Sequence, residues 1–314
     1  MDRLDAMAIL VASAEAGSFS AAGRKLGIPL PTVSRKIGDL EAHLKTRLFV
    51  RSTRKLVLTE AGVGYFAACR RILESIGEAE AQAAGEYSVP RGHLTLTAPI
   101  VFGRLHVVPV VNEFLSQFAE INVRMTLSDR NVNLIDDHID MAVRVGELPD
   151  SALIATRVGS IRRVVCGSPA YFAAHGTPRT PDELAKHQCV TFSAMAGTSW
   201  TFNRRGHKTI SVVPRCRLHI NTAEAAIDAA IAGLGVTNVL SYQVARAVDE
   251  KKLRIILQDF EPLPIPIHLV HAHQRLLPLK MRRFLEFAAP RIRKSVLGTQ
   301  RRLGYGADER GADD

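Results

Sequence analysis

The sequence predicts a mixed α/β chain: a small helical head with a basic hairpin, a long connecting helix, and a larger region of alternating strands and helices. Three observations carry this prediction. Apolar positions in the first 58 residues recur at helical spacing, broken by turn residues. From Thr59 to about Gly85 they alternate at spacings of four and three. Beyond Pro90 and Gly92 short strand-like runs alternate with helical ones. With 314 residues the chain is long for one core and suits two or three domains.

Leu4, Met7, Ala8 and Val11 form the inner stripe of a first helix ending near Gly17. Phe19, Ala22 and Leu26 share a face of a second, which Ser18 or Ser20 can cap and Gly27 can end. Ile28-Pro29-Leu30 makes a tight turn, and Pro31 suits the first position of a third helix. There Val33, Ile37, Leu40 and Leu44 form one stripe. Arg35 points away from it, flanked by Pro31, Thr32, Gly38, Asp39 and Ala42. A helix that lies in a DNA major groove needs such a face, with one reaching cation among small residues. Leu48, Val50, Leu56 and Leu58 read as the arms of a hairpin. Its tip, Ser52-Thr53-Arg54-Lys55, suits phosphate or minor-groove contact. The formal net charge of +10 is concentrated here: Arg35, Lys36, Lys45, Arg47, Arg51, Arg54 and Lys55 stand against Asp39 and Glu41.

At these residues a resemblance becomes specific. The stretch AGSFSAAGRKLGIPLPTVSRKIGDLEAHLKTRLFVRSTRKLVLTEAG resembles the winged helix-turn-helix of LysR-type transcriptional regulators. The match is close over about the first 90 residues and looser to about residue 290. APIVFGRLHVVP, LSDRNVNLI and RVGELPDSALIATRVG resemble the CrgA-like branch of the family. The resemblance implies a winged helix-turn-helix over residues 1–58, a linker and dimerisation helix over 59–86, a hinge over 87–92, and a two-lobe periplasmic-binding-protein-like (type 2) effector domain over 93–292. Lobe I would take about 93–162 and 268–292, and lobe II about 163–267. Residues 293–314 show no periodicity, end acidic, and read as disordered.

The expected DNA contacts are Leu30, Pro31, Thr32, Ser34, Arg35 and Lys36 on the third helix, with Arg51, Arg54 and Lys55 on the hairpin. Many relatives carry glutamine where Leu30 stands. Leucine offers only an apolar contact to a thymine methyl, so base reading is expected to rest on Thr32, Ser34 and Arg35. The long helix, about 40 Å, carries Tyr65, Cys69, Ile72, Ile76, Ala79 and Ala83 along one seam. No partner for it exists within the small head, so the seam is expected to pair with its copy in a homodimer, the role the helix has in the family. A homotetramer through the effector lobes is the further expectation, and a contact with RNA polymerase is left open. Two heads on a two-fold axis call for double-stranded DNA with an interrupted inverted repeat.

The resemblance places a small-molecule effector between the lobes. The carried-over contacts are Ala98, Pro99, Ile100, Ser128, Arg130, Val145 and Gly146 on one side, and Phe192, Trp200, Asn221 and Thr222 on the other. Relatives that bind carboxylates often have a hydroxyl residue where Pro99 stands. Proline has neither hydroxyl nor N–H, which favours an aromatic or apolar ligand. Trp200 also fits a core residue, Asn221-Thr222 a helix cap, and Arg144 a strand residue bridged to Asp129 or Glu147.

Cys69, Cys166, Cys189 and Cys216 are scattered without a CxxC, which suits reduced thiols in a cytoplasmic protein; a redox-sensing role is the lesser reading. Asp2, Arg3 and Asp5 argue against a signal peptide, and no apolar run approaches a membrane span. His268, His271 and His273 lack acidic or thiol neighbours in sequence, so neither metal nor cofactor is expected. No G-x-S-x-G, phosphate loop or paired-carboxylate motif supports an enzyme. The expected function is a sequence-specific DNA-binding transcriptional regulator modulated by an effector. The alternative is a ligand-independent, architectural DNA-binding protein whose α/β domain only oligomerises.

Overall fold

The computed structural model describes residues 2–51, 56–83, 89–130, 132–148, 153–192, 199–203, 209–273 and 277–305. The chain divides into two compact units, Met1–Gly92 and His93–Asp314.

In the first unit, α1 (Arg3–Ala16) starts at Asp2, whose carboxylate accepts the Leu4 N–H at 3.0 Å. α2 (Phe19–Leu26) is capped by Ser18 and stopped by Gly27 in the left-handed region. The turn closes tightly: the Ile28 N–H donates to the Gly23 carbonyl at 2.9 Å. A Cβ on Gly23 would lie 2.7 Å from the Ile28 oxygen, so this turn requires glycine. α3 (Leu30–Leu44) begins one residue earlier than expected, with Pro31 inside its first turn. Its stripe of Val33, Ile37 and Leu40 is buried against Ala6, Ile9 and Leu10 of α1.

β1 (Phe49–Arg51) pairs antiparallel with β2 (Leu56–Leu58), Phe49 opposite Leu58. Of the expected arm residues, Val50, Leu56 and Leu58 lie in the two strands. Phe49 faces inward and meets the Phe19 ring edge-on at 5.4 Å, whereas Val50 is 55% exposed. Leu48 is buried, but it precedes the strand, so counting by twos from it puts Val50 on the wrong face. Glu41 is buried under the hairpin. Its Oε1 accepts the N–H groups of Leu48 (2.8 Å) and Phe49 (3.1 Å), and Oε2 pairs with Arg47 at 3.2 Å. One carboxylate thus fastens α3 to the strand.

α4 (Glu60–Ala83) is capped by Thr59, whose hydroxyl accepts the Gly62 N–H at 2.9 Å. Two expected seam positions belong elsewhere. Cys69 is fully buried in the head's own core, and Tyr65 packs against that core. α1 lies along this part of α4, so the first turns of the helix are consumed by the head. Farther along, Ile72 and Ala79 are exposed and Ile76 is half-buried.

The second unit holds two sheets. Lobe I supplies β3 (Gly92–Ala98), α5 (Ile100–Phe102), a π-turn over Gly103–Val107, α6 (Val108–Gln117), β4 (Ile121–Leu127), β5 (Met141–Val145) and β6 (Leu153–Ile161). Lobe II follows with β7 (Arg163–Gly167), α7 (Pro169–His175), β8 (Cys189–Phe192), β9 (Trp200–Phe202), β10 (Ile210–Val212), β11 (Cys216–Ile220), α8 (Ala223–Ile231), β12 (Val236–Leu240), α9 (Ser241–Asp249) and β13 (Arg254–Ile256). The chain then returns to lobe I with β14 (Ile265–Ala272) and α10 (Leu279–Arg302). The sheet orders are β4-β3-β5-β14-β6 and β11-β8-β12-β7-β13, so the chain crosses between sheets at Ile161–Arg163 and again before Ile265. The main apolar core of lobe I lies around Phe102, Phe114 and Phe284, with a smaller cluster around Leu134, Ala142 and Val270. Two line the faces of the lobe II sheet, around Ile227 and around Trp200.

The C-terminal segment corrects the expectation of disorder from residue 293. α10 continues to Arg302, and Ile292, Val296, Thr299 and Gln300 are buried. Val296 packs on Gly159, where a Cβ would sit 3.1 Å from its Cγ1. Gln300 Nε2 donates to Ser241 Oγ at 3.1 Å. Tyr305 donates to Glu261 Oε1 at 2.6 Å, with Arg162 over its ring at 4.8 Å. This end of the chain therefore braces both crossings. Residues 306–314 lie outside the described residues.

Candidate functional site

The first unit presents an outward face on α3. Leu30, Pro31 and Arg35 are exposed, and Thr32 and Ser34 are half-buried beside them. Lys36 departs from this set: its ammonium pairs with Asp5 on α1. Its charge steadies the helix pair and is not offered outward. Arg51 closes β1; its side chain, and Arg54 and Lys55, lie outside the described residues.

In the second unit the ends of β3, β5 and β7, together with the start of α9, surround a cavity of about 310 Å³ between the lobes. Of the expected contacts, Ala98, Pro99, Ser128, Arg130, Val145, Gly146 and Phe192 line it. Ile100 does not; its N–H is turned to Asp129 Oδ1 at 3.0 Å. Trp200 is buried in lobe II among Tyr171, Phe172 and Leu184, so it is a core residue. Asn221 is exposed, and Thr222 caps α8 by accepting the Ala225 N–H at 3.4 Å. Neither lines the cavity.

Sequence reasoning missed Arg163, Leu240, Tyr242 and Gln243 as contacts, and these line it with Thr97 of the β3 end. Tyr242 is buried, edge-on to Phe102 at 5.3 Å, and belongs to the lobe I core although it follows a lobe II strand. Its hydroxyl is pushed well above the ordinary tyrosine range, by burial first and then by the nearby Asp129 and Glu224 carboxylates. Arg144 lines the cavity and donates to the Val132 carbonyl, a bond the expected salt bridges did not foresee. Burial holds the Arg144 and Arg163 guanidinium groups below their ordinary value. The one signal that could have marked Arg163 is its place at the start of β7, two residues past the end of β6, where the chain changes lobes.

A larger hollow of about 480 Å³ lies at the other end of the lobe II sheet, among Tyr171, His175, Gln188, Arg217 and Gly233. Its polar groups are already satisfied by one another: Tyr171 accepts the Gln188 N–H at 3.0 Å, and Arg217 donates to the Gln188 side chain. The interlobe cavity is the better candidate site. Burial pushes the Cys166 and Cys189 thiols up to about 12, which makes them packing residues rather than nucleophiles. Among the described residues no His, Cys, Asp and Glu cluster could hold a metal ion. No helix there is long and apolar enough to cross a membrane.

Residues 4–63 match the family model of the bacterial regulatory helix-turn-helix protein, lysR family, and residues 88–293 match the LysR substrate binding domain. The chain belongs to the LysR family. An uncharacterized HTH-type transcriptional regulator of Haemophilus influenzae is 31% identical over 282 residues, covering 90% of this chain and 98% of that protein. An HTH-type transcriptional repressor of Pseudomonas aeruginosa is 32% identical, covering 91% of each chain. Among solved structures, CrgA of Neisseria meningitidis, a LysR-type transcriptional regulator, is 29% identical with a TM-score of 0.59, covering 92% of this chain and 98% of its own. The full-length Vibrio cholerae virulence activator AphB is 26% identical with a TM-score of 0.58, covering 91% and 98%. This LysR-type chain is therefore a transcriptional regulator with a DNA-binding helix-turn-helix and an effector-binding domain.

Proposed function

We propose that this LysR-type regulator reads an interrupted inverted repeat in promoter DNA, and that a small molecule in the interlobe cavity changes how it does so. The observation that carries this reading is a polar cavity formed by two lobes that the chain joins through two crossings. Closure around a ligand changes the relation between the sheets, and a ligand shifts the protein only by binding one arrangement better than the other. Base reading falls to Thr32, Ser34 and Arg35, with Leu30 adding an apolar contact.

Dimerisation is assigned to the exposed apolar face of α4, where Ala68, Ile72, Ile76 and Ala79 line a shallow hollow with Arg71 and Ser75. Tyr65 and Cys69 are excluded from it by the head's core. A homotetramer through the effector units and a cytoplasmic location complete the reading; an activating role would add a contact with RNA polymerase.

A footprint on the DNA upstream of the protein's own gene tests it, with and without a panel of metabolites. A protected inverted repeat whose extent shifts with one compound is expected. Sequence-indifferent, salt-sensitive coating of the DNA would contradict it.

A further inference from the structure

The second unit is basic because of one helix. Residues 93–314 hold 28 Lys and Arg against 21 Asp and Glu, and α10 alone holds eight against one, Glu286. The rest of the unit, with 20 of each, is neutral. In the first unit the local excess at residues 35–55 is offset by acids elsewhere, leaving thirteen cations against ten acids over residues 1–92. Most of the chain's net charge of +10 therefore stands on α10.

Helix stability does not account for this charge. The first turn of α10 has no acid, and Lys280 and Arg282 stand there against the positive end of the helix dipole. Internal pairing accounts for only part of it. Arg283 pairs with Glu286 at 3.3 Å, Arg291 with Glu113 at 3.1 Å, and Arg302 lies 3.9 Å from Asp249. Arg282, Lys294 and Arg301 are exposed and meet no acid among the described residues. Arg293, also exposed, donates to the Arg157 carbonyl at 3.0 Å, a neutral acceptor that leaves its charge unanswered. On a wheel of about 100° per residue these four lie within roughly 120° of one another. They extend over about 28 Å of helix. The one acid on that face, Glu286, is taken by Arg283.

We propose that this face of α10 is a second DNA surface, which holds phosphates of the duplex without reading its sequence. Charge and length select the partner. A duplex presents one negative charge per about 1.7 Å of its axis, and the stripe is a little shorter than one duplex turn of about 34 Å. Between the four cations the exposed face carries Pro290, Leu297 and Gly298, whose side chains offer no hydrogen bond to a base edge. The chain belongs to a DNA-binding family, so a polyanion is present whenever the helix-turn-helix is bound. Only eight residues separate Ala83, the end of α4, from Gly92, the start of β3. That connection spans at most about 30 Å, so the second unit stays within reach of DNA held by the head. The inference goes beyond the proposed function and needs neither an effector nor an inverted repeat.

The test measures binding of full-length protein to a mixed-sequence duplex of about 60 base pairs, by anisotropy, between about 50 and 200 mM salt. The variant combines Arg282→Gln, Lys294→Gln and Arg301→Gln. A control combines Arg124→Gln, Arg179→Gln and Lys186→Gln, which removes the same charge from exposed positions elsewhere in the unit. Both are expected to melt with the wild type, because all six side chains are exposed. The α10 variant is expected to flatten the slope of log K against log salt by about two to three, close to one per lost phosphate contact, and to bind about tenfold or more weakly at 100 mM salt. The control should keep a slope near that of the wild type. Equal slopes for the wild type and the α10 variant would overturn the proposal, as would equal losses in the two variants, which would reflect net charge alone. Deletion of residues 306–314 tests the acidic end of the chain as the competing occupant. Tighter DNA binding after that deletion, with the full-length wild type and α10 variant binding alike, would assign the stripe to that segment and remove it from DNA.

Discussion

Arg35 and Arg163 place the same guanidinium in opposite surroundings. Arg35 is exposed on the outer face of α3, among small neighbours. Arg163 is half-buried at a crossing between two lobes, in the wall of the cavity, where partial burial lowers its proton affinity. An exposed cation costs little to keep and binds a polyanion by exchanging salt ions. One set in the wall of a recess meets only what is small enough to enter. The head thus presents a cation to a large surface, and the cavity presents its cations to a small volume. The two sites should fail independently when the groups supporting each are removed.

The largest difference between the units should appear with acid. His106 sits in the π-turn of the second unit, its ring tilted against that of Phe102 at 4.7 Å and its Nδ1 hydrogen-bonded to Ser295 Oγ at 2.8 Å. Burial first, and then the Arg302 charge, lower its pKa from 6.5 to about 4. The folded state therefore prefers neutral histidine. Its contribution is complete above about pH 6.5 and is lost as the pH falls toward 4, on the order of 3 kcal/mol across that window. Urea unfolding of the full chain from pH 7 to pH 4 should show the second unit weakening, and His106→Gln should flatten the slope. An unchanged slope would mean that His106 is hydrated in solution.

Removing Glu41 tests the head alone. Glu41→Ala leaves the Leu48 and Phe49 N–H groups without their acceptor and should cost about 2–4 kcal/mol of head stability. DNA binding should fall while the melting of the second unit and its response to ligand stay put. Arg35→Ala should leave both stabilities unchanged and cost about 1–3 kcal/mol of specific binding, read by anisotropy with a cognate duplex. Wild-type affinity after that change would sink the base-reading assignment. Thr222→Ala should cost the smallest amount, about 1 kcal/mol from the α8 cap, with ligand response intact, because Thr222 caps a helix and does not line the cavity.

The head was legible because its signals are local. The α3 stripe, the Gly27 stop and the Thr59 cap each depend on a few consecutive residues, and the structure places them as their spacing demands. Where two apolar readings competed, sequence could not choose. Leu48, Phe49 and Val50 are all apolar, and only the pairing of Phe49 with Leu58 decides which faces inward. Cys69 fits a dimer seam and a core equally well by period, and α1 packing decides for the core.

The last turns of α10, past Arg293, were hidden because their inner stripe runs through Thr299 and Gln300, whose burial is satisfied by hydrogen bonds rather than by apolar contact. Half of the cavity followed from family resemblance at the lobe I junctions. Arg163 and Tyr242 did not, since their position depends on where the chain crosses between sheets. A lone tryptophan drew attention to Trp200, and packing explains it fully.

The most direct test is selection of DNA from a random duplex pool by the full-length protein, with Arg35→Ala in parallel. The expected result is enrichment of an interrupted inverted repeat by the wild type and loss of that enrichment in the variant. Enrichment of no sequence by the wild type, or of the same repeat by both proteins, would contradict the assignment of α3 as the element that reads the bases.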